Sequence, residues 1–363
     1  MASTISAKYS IELAPDFAFL SDEYSALVDA ADAHVYQQPI WLDAFYRIIA
    51  PNRGARPHFL VVRSRGDGIL QFVLPLIVRR KFGLRLLETA DLGVSDYVVP
   101  VGLPAFWQDL ENDPSLRRKL TTALPRFDLL RMRPVREEDC RKFKLVTGMD
   151  PIPLGFSAHA SVLRKPYEDW RKSVLNGSMR KMIDRKRRKL HRDHSASLEE
   201  LHDPAEIQRA LTRLALLRAG RFEKDPIQQE FVLRFYIDVA QKGATTGLAS
   251  TWLIKAGGDE VGVLFGVTLE GRFYYLLIGC DYDNFGQYSP GLLMYDGIMN
   301  KWIEGGGTCF DFTIGDEAFK RKFGTVATKM HMFLSAGSLI GRIARQIVVW
   351  RLNKRLELSE EGQ

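Results

Sequence analysis

The chain has 363 residues, which suggests two domains, and 46% of them are hydrophobic, enough to bury sizeable cores. The net charge of +7 points to anionic partners: a phosphorylated cofactor, an acidic carrier protein, nucleic acid or anionic lipid. The cysteines Cys140, Cys280 and Cys309 have no CxxC spacing, which argues against a disulfide framework and a structural zinc site. No apolar run of about 18 residues is present to cross a membrane, nor an apolar signal-peptide core near the start, so a cytosolic protein is expected.

Helices are predicted near Ser21–Ala33 and Pro39–Ile49, then strands at His58–Ser64 and Leu70–Val78, hinged by Gly66-Asp67-Gly68. A third strand near Leu84–Thr89 precedes a helix near Ala105–Thr122, a strand at Phe127–Met132 and a charged helix around Arg136–Lys144. Gly and Pro concentrate around Thr147–Phe156, which marks a boundary. Asp203-Pro204 with Glu206 has the form of a capping box and starts a helix carrying Leu211, Leu214, Ala215 and Leu217. Asp225-Pro226 starts another, with Phe231, Phe235, Ile237 and Val239, that ends near Gly243. Strands Thr251–Lys255 and Val261–Leu269 flank Gly257-Gly258, and Phe273–Gly279 follows the Glu270-Gly271 turn. A helix from Ser289, a strand at Cys309–Ile314, a short helix near Asp316 and a strand at Lys329–Leu334 complete the pattern. The order helix, helix, three strands, helix, strand, helix, strand occurs in both halves, and Phe127-Asp128 stands where Phe310-Asp311 stands. An internal duplication is expected, with units at 1–150 and 157–335 and a basic helix and tail at 336–363.

The stretch from Ser289 to Gly324 carries the densest chemical signal. The Ser289 hydroxyl is placed to cap a helix, Pro290 suits its first position, and Gly291 lets a ligand approach the free N–H groups at Leu292 and beyond. Such a terminus attracts anions. After Gly305-Gly306-Gly307 and the Cys309 strand come Gly315-Asp316-Glu317 and the cations Lys320, Arg321 and Lys322. An anion cradle followed by an acid–base cluster at a strand end suits a transferase with a phosphate-bearing donor.

That element order, with an anion-binding helix start after a central antiparallel strand, resembles the GNAT acyltransferase fold, and the duplication resembles its Fem-type branch of two fused units. The chain is also similar to bacterial GNAT proteins labelled cellulose-biosynthesis protein CelD. The likeness rests on Gln37-Gln38-Pro39-Ile40-Trp41-Leu42, Val73-Leu74-Pro75-Leu76 and Ser95-Asp96-Tyr97 in the first half. In the second it rests on the basic helix from Arg180 to Arg192, Tyr288-Ser289-Pro290-Gly291, Asp311-Phe312, and Gly315-Asp316-Glu317 with Phe319-Lys320. The resemblance implies an α/β (α+β) fold of tandem units with mixed, mostly antiparallel sheets flanked by helices. It further implies an active second unit beside a non-catalytic first one, and acetyl-CoA or a longer acyl-CoA as co-substrate with no permanently bound cofactor. The usual Gly-x-Gly pyrophosphate loop is replaced by Gln287-Tyr288-Ser289-Pro290-Gly291, and Phe319 stands where a tyrosine is common. Phe319-Lys320-Arg321-Lys322-Phe323-Gly324 resembles instead the Phe-Lys-x-x-Phe-Gly pattern of Fem-type aminoacyltransferases.

Acyl transfer from a thioester needs a hold on the donor phosphates, stabilisation of the oxyanion and a base for the acceptor amine. Ser289, Gly291 and Leu292 suit the first role, with Arg187 and Arg188 as further phosphate ligands. Lys320 suits the second, as a compact ammonium; its alternative is a solvated helix face. Asp281, Asp311, Asp316 and Glu317 compete for the third. Asp316 also reads as a helix cap, Asp281 as part of a turn, and Asp311 in its apolar strand demands a cationic partner, for which Lys320 and Arg321 are candidates. The histidines show no ligand pairing beyond His191 and His194 in a basic segment, so no metal is expected.

The segment Met179–His194 reads as a helix with eight Lys and Arg side chains against Asp184 and Asp193, and suits a phosphorylated acceptor, a carrier or RNA. Few aromatics interleave, so base stacking is not indicated. Ser338–Leu358 reads as a helix with Leu339, Ile343, Ile347, Trp350 and Lys354 near one face and Arg342, Arg345, Arg351 and Arg355 as cations. It suits either an anionic membrane surface or, as the favoured reading, docking on its own protein. Three functions compete: an acyltransferase using acyl-CoA or an acylated carrier on an amine or hydroxyl, in envelope-polysaccharide biosynthesis; a Fem-like aminoacyltransferase using aminoacyl-tRNA; and a non-catalytic assembly protein of an envelope-polysaccharide machine.

Overall fold

The computed structural model describes residues 5–221 and 223–360; residues 1–4 and 361–363, at the ends of the outer segments drawn from sequence, lie outside the described residues. Strand β1 (Tyr9–Ala14) is followed by helices α1 (Asp22–Ala30), α2 (Pro39–Ala44) and α3 (Ala50–Asn52), with a π-helical turn at Phe45–Ile49 between the last two. Then come β2 (Arg56–Ser64), β3 (Leu70–Lys81), β4 (Leu84–Thr89), β5 (Val101–Gly102), α4 (Pro104–Asn112), α5 (Pro114–Ala123), β6 (Leu129–Arg136) and α6 (Cys140–Thr147). The chain continues through β7 (Ile152–Val162), α7 (Tyr167–Val174), α8 (Gly177–His194), β8 (Ser197–Leu201), α9 (Pro204–Arg218) and α10 (Glu230–Thr246). It ends with β9 (Ala249–Ala256), β10 (Asp259–Leu269), β11 (Arg272–Cys280), α11 (Tyr282–Phe285), α12 (Pro290–Glu304), β12 (Cys309–Ile314), α13 (Ala318–Arg321), β13 (Val326–Ala336) and α14 (Leu339–Glu360).

Two compact units form, Met1–Ser157 with Thr328–Gln363, and Ala158–Ala327. Strand order is β1-β2-β3-β4-β6-β13 in the first and β8-β9-β10-β11-β12-β7 in the second. The sheets are antiparallel apart from one parallel pair each, β4 with β6 and β11 with β12. Matching strand positions therefore run in matching directions, in the mixed, mostly antiparallel sheets flanked by helices expected for this class.

The last place in each sheet is filled differently from the expectation. Residues 329–334 were assigned by order to the C-terminal unit, but β13 pairs with β6, Met330 opposite Arg136 and Ala336 opposite Leu129, in the first unit. In the second unit β7 takes that place, pairing with β12 through Val162–Cys309 and Ala160–Asp311. Both strands carry apolar residues on a side that must be covered, and that pattern is the same whichever sheet accepts the strand. The Phe127-Asp128 correspondence is also displaced. Asp128 precedes β6 and accepts the Arg85 amide at 2.8 Å, whereas Asp311 lies inside β12.

Local chemistry explains the meanders. Three hairpins turn on two residues, Phe82-Gly83, Gly257-Gly258 and Glu270-Gly271, and each of these six residues has positive φ, as a turn matched to strand twist requires. Between the sheets and helices lie separate cores, one around Phe72, Phe106, Phe143 and Phe333, the other around Phe273, Phe310, Phe312 and Phe323. In the second, Phe273 and Phe310 stack with centroids 5.0 Å apart. Gly266 on β10 lies over that stack at a bulge: a Cβ there would sit 2.5 Å from the Phe273 ring and 2.7 Å from the Tyr274 carbonyl. Gly266→Ala is accordingly expected to destabilise the protein by about 1–3 kcal/mol through overpacking, read as a lowered urea midpoint; an unchanged midpoint would show that the bulge relaxes freely.

Candidate functional site

Helix α12 starts in an unusual way. Ser289 sits at its N-cap in the left-handed region, with φ 54°, and makes no side-chain cap bond, so the capping role expected for its hydroxyl is not met. The hydroxyl instead takes a hydrogen bond from the Lys186 ammonium of α8. The Leu292 and Leu293 amides both return to the Ser289 carbonyl at 3.0 and 3.2 Å, so the helix start offers an external anion the Gly291 amide rather than a row of free donors. Gly291 is buried, and a Cβ on it would lie 2.5 Å from the Tyr282 hydroxyl. The absence of a side chain lets that phenol close on the helix.

A cavity of about 950 Å³ opens beside this start. Ser289, Gly291 and Leu292 line one wall, so the structure brings these three expected residues together. The floor is apolar, with Met179, Met182, Ile278, Phe319 and Phe323, and the rim carries Glu317, Arg321 and Lys322. Three phenols, Tyr275, Tyr282 and Tyr295, also face it. Burial pushes the Tyr275 hydroxyl up to about 12, and burial raises Tyr282 and Tyr295 as well, so all three stay protonated at neutral pH and can donate. Burial likewise pushes the neighbouring Cys280 thiol up to about 12, which leaves it a poor nucleophile.

The four acid–base residues favoured from sequence do not line this cavity among the described residues. Lys320 is only 2% exposed. Its ammonium donates to the carbonyls of Ile314 at 2.8 Å, Gly315 at 2.9 Å and Thr313 at 3.4 Å, and pairs with Glu317 at 2.9 Å. With those bonds made, it clamps the end of β12 and the start of the loop that follows. Asp311 pairs with Arg272 at 3.2 Å, not with Lys320 or Arg321, and accepts the Thr313 amide at 2.8 Å. Asp281 caps α11 by accepting the Asn284 amide at 3.1 Å and lies 3.7 Å from Arg213. Asp316 bonds the buried His159 ring at 2.8 Å. Glu317, the remaining competitor, is the carboxylate on the cavity rim, 58% exposed at its side chain. His159, on β7 and far from Asp316 in sequence, was invisible to spacing.

The basic helix is placed by a buried charge. Asp296 on α12 is fully buried, and its two oxygens are held by Arg171 of α7, at 3.1 Å, and by Arg187 of α8. Arg187 is thus an internal ion-pair partner, and neither it nor the exposed Arg188 lines the cavity. The α8 cation that reaches the helix start is Lys186, which the sequence reading had not singled out within the basic run.

Residues 177–321 match the family of the acetyltransferase (GNAT) domain. No curated protein sequence matches the chain. In solved structures, 90% of the chain superposes on 97% of FemX with a TM-score of 0.61 at 12% identity. L-PGS from Bacillus licheniformis aligns over 94% of this chain and 97% of its own, with a TM-score of 0.53 at 14% identity. The C-terminal domain of a putative lysylphosphatidylglycerol synthetase from Agrobacterium fabrum covers 90% of this chain and 96% of its own, with a TM-score of 0.51 at 13% identity. At such identities these structures share the fold and no more. Residues 177–321 thus match the acetyltransferase (GNAT) domain family, and the chain has the duplicated, Fem-like GNAT fold.

Proposed function

We propose that the C-terminal unit transfers an acetyl or longer acyl group from coenzyme A, or from an acylated carrier, to an amine, and that the N-terminal unit performs no chemistry. The observation that carries this reading is the cavity of about 950 Å³ that joins an uncapped helix start and a cationic rim to one carboxylate. Its apolar floor suits an acyl-pantetheine arm. Lys186, Arg321, Lys322 and the Gly291 amide supply positive potential for the donor phosphates. The amine nitrogen attacks the thioester carbonyl carbon, its proton passes to Glu317, and the carbon–sulfur bond breaks. The departing thiolate takes a proton from a phenol, for which Tyr282, 41% exposed on the wall next to Gly291, is the best placed. Lys320 is a positioning residue in this scheme, because its bonds to three carbonyls fix the loop that presents Glu317. The acceptor is an amine-bearing small molecule, for which the cavity mouth leaves room.

One observation favours aminoacyl-tRNA as the donor instead. Among the described residues, Lys181, Arg185 and Arg188 on α8 make no ion pair, which leaves a cationic strip for a phosphate backbone. Thermal-shift measurements separate the two donors: acyl-CoA is expected to raise the unfolding temperature in a saturable way and RNA to leave it unchanged, and the reverse result would reassign the donor.

Glu317→Gln keeps the bond to Lys320 but cannot accept a proton. It is expected to lower turnover, measured as thiol release with a panel of amines, by about 10²–10⁴-fold with the acyl-CoA-induced thermal shift intact; normal turnover would place the base elsewhere, with the Asp316–His159 pair next in line. Lys320→Met leaves three carbonyls of the β12 loop without their donor, and should reduce stability to denaturant by about 3 kcal/mol as well as activity. A Lys320→Met protein of full stability but low turnover would return Lys320 to the reacting centre.

A further inference from the structure

Helix α14 has two faces of opposite character. Gly341 is buried against the chain ahead of β6, Leu356 packs at Gly155, and the Arg345 guanidinium donates to the Leu334 carbonyl at 3.4 Å. On that side the helix packs on its own unit. The other side carries Leu339, Ile340, Ile343, Ile347 and Trp350, whose exposures are 75, 54, 61, 46 and 61%. Leu339, Ile343, Ile347 and Trp350 follow one another at spacings of four, four and three, which puts them on one stripe of the helix. A run of large apolar side chains left in water is unfavourable for an isolated protein and marks a surface that something covers.

The charge around the stripe says what covers it. Arg342, Arg351 and Lys354 accompany it, Arg345 lies on the docked side, and no Asp or Glu occurs from Leu339 to Leu356. The Lys354 ammonium lies 5.6 Å from the Trp350 ring centroid, so the aromatic and the charge sit at one level. Apolar stripe, flanking cations and an indole at the boundary form the pattern of a helix that lies in a lipid interface, with its stripe among acyl chains and its cations at the headgroups. No described helix is long and apolar enough to cross a membrane, so this helix would lie along the surface.

We propose that α14 docks the protein on an anionic lipid surface, with Leu339, Ile343, Ile347 and Trp350 inserted and Arg342 and Arg351 on lipid phosphates. A second copy of the chain would bury the same stripe only by bringing like-charged helices together, which the flanking cations oppose. The proposal is independent of the donor and of the residues assigned to the cavity.

The test is co-sedimentation of the full chain with vesicles of phosphatidylcholine alone and of phosphatidylcholine with phosphatidylglycerol, beside analytical ultracentrifugation without lipid. The chain is expected to bind the anionic vesicles about tenfold or more tightly than the neutral ones, at about a fivefold gain per cation, and to release them as salt rises. Ile343→Glu with Ile347→Glu should abolish sedimentation at unchanged unfolding temperature, and Arg342→Gln with Arg351→Gln should weaken only the anionic arm. Vesicle binding that survives the Ile343→Glu/Ile347→Glu change overturns the proposal, and so does a failure of the wild-type chain to bind. A lipid-free dimer that this change dissolves would assign the stripe to a second copy instead.

Discussion

The arrangement around the cavity at the start of α12 depends on one buried carboxylate. Asp296 has no exposure, and a lone charge there would be strongly unfavourable, so the helices that carry its partners must close on it. Arg171 and Arg187 take one oxygen each, and Arg171 reaches on to Asp184 at 2.6 Å, so α7, α8 and α12 share a single ion network. The network sets register as well as proximity. With Arg187 fixed on Asp296, the preceding residue, Lys186, is carried to the other end of the same contact, where it meets Ser289 at the start of α12. The positive potential at the helix start is thus fixed by an ion pair two turns further along it, and most cations of α8 remain outside that network.

The loop after β12 is the second constrained element. Thr313 and Gly315 both have positive φ, 57° and 112°, which for threonine is strained backbone. Asp311 holds Thr313 by its amide, and Lys320 gathers the carbonyls of Thr313, Ile314 and Gly315. A buried aspartate and a buried lysine near a strand end read from sequence as chemistry. Here they offset the strain of a turn, and the turn carries Glu317 out to the cavity rim. Residues that hold a loop and the residue the loop presents have the same composition signature, and burial is what separates them.

Much of the fold was legible because its signals are local. Two-residue hairpins with glycine, Asp203 accepting the Ala205 and Glu206 amides at 2.9 Å, and the strand–helix order all follow from neighbours in sequence. The helix expected at Asp225-Pro226 begins later, at Glu230, because Pro226–Gln228 closes as a 3₁₀ turn first. What spacing could not give was long-range choice: which sheet takes β13, which carboxylate lines the cavity, and that Asp296, in the middle of an apolar helix, collects two arginines. An aspartate flanked by Tyr295 and Gly297 inside such a helix was the one available signal of that buried pair.

The two units differ in the helices between their parallel strands. In the C-terminal unit that helix is α12, whose N-cap residue is left-handed, uncapped and met by a lysine. The corresponding connection in the N-terminal unit is made by α4 and α5. Helix α5 begins after Asp113, whose carboxylate accepts the Ser115 amide at 2.8 Å. A side-chain carboxylate therefore caps that helix start, and its charge would repel an added anion. At the head of α4, a Cβ on Gly102 would lie 3.1 Å from both Phe72 and Trp107, so aromatic packing fills the space against that helix start. The two units keep one strand order because the sheet needs it, while the helix start, which the sheet does not need, differs: uncapped and met by Lys186 in one unit, capped by Asp113 and packed by aromatics in the other.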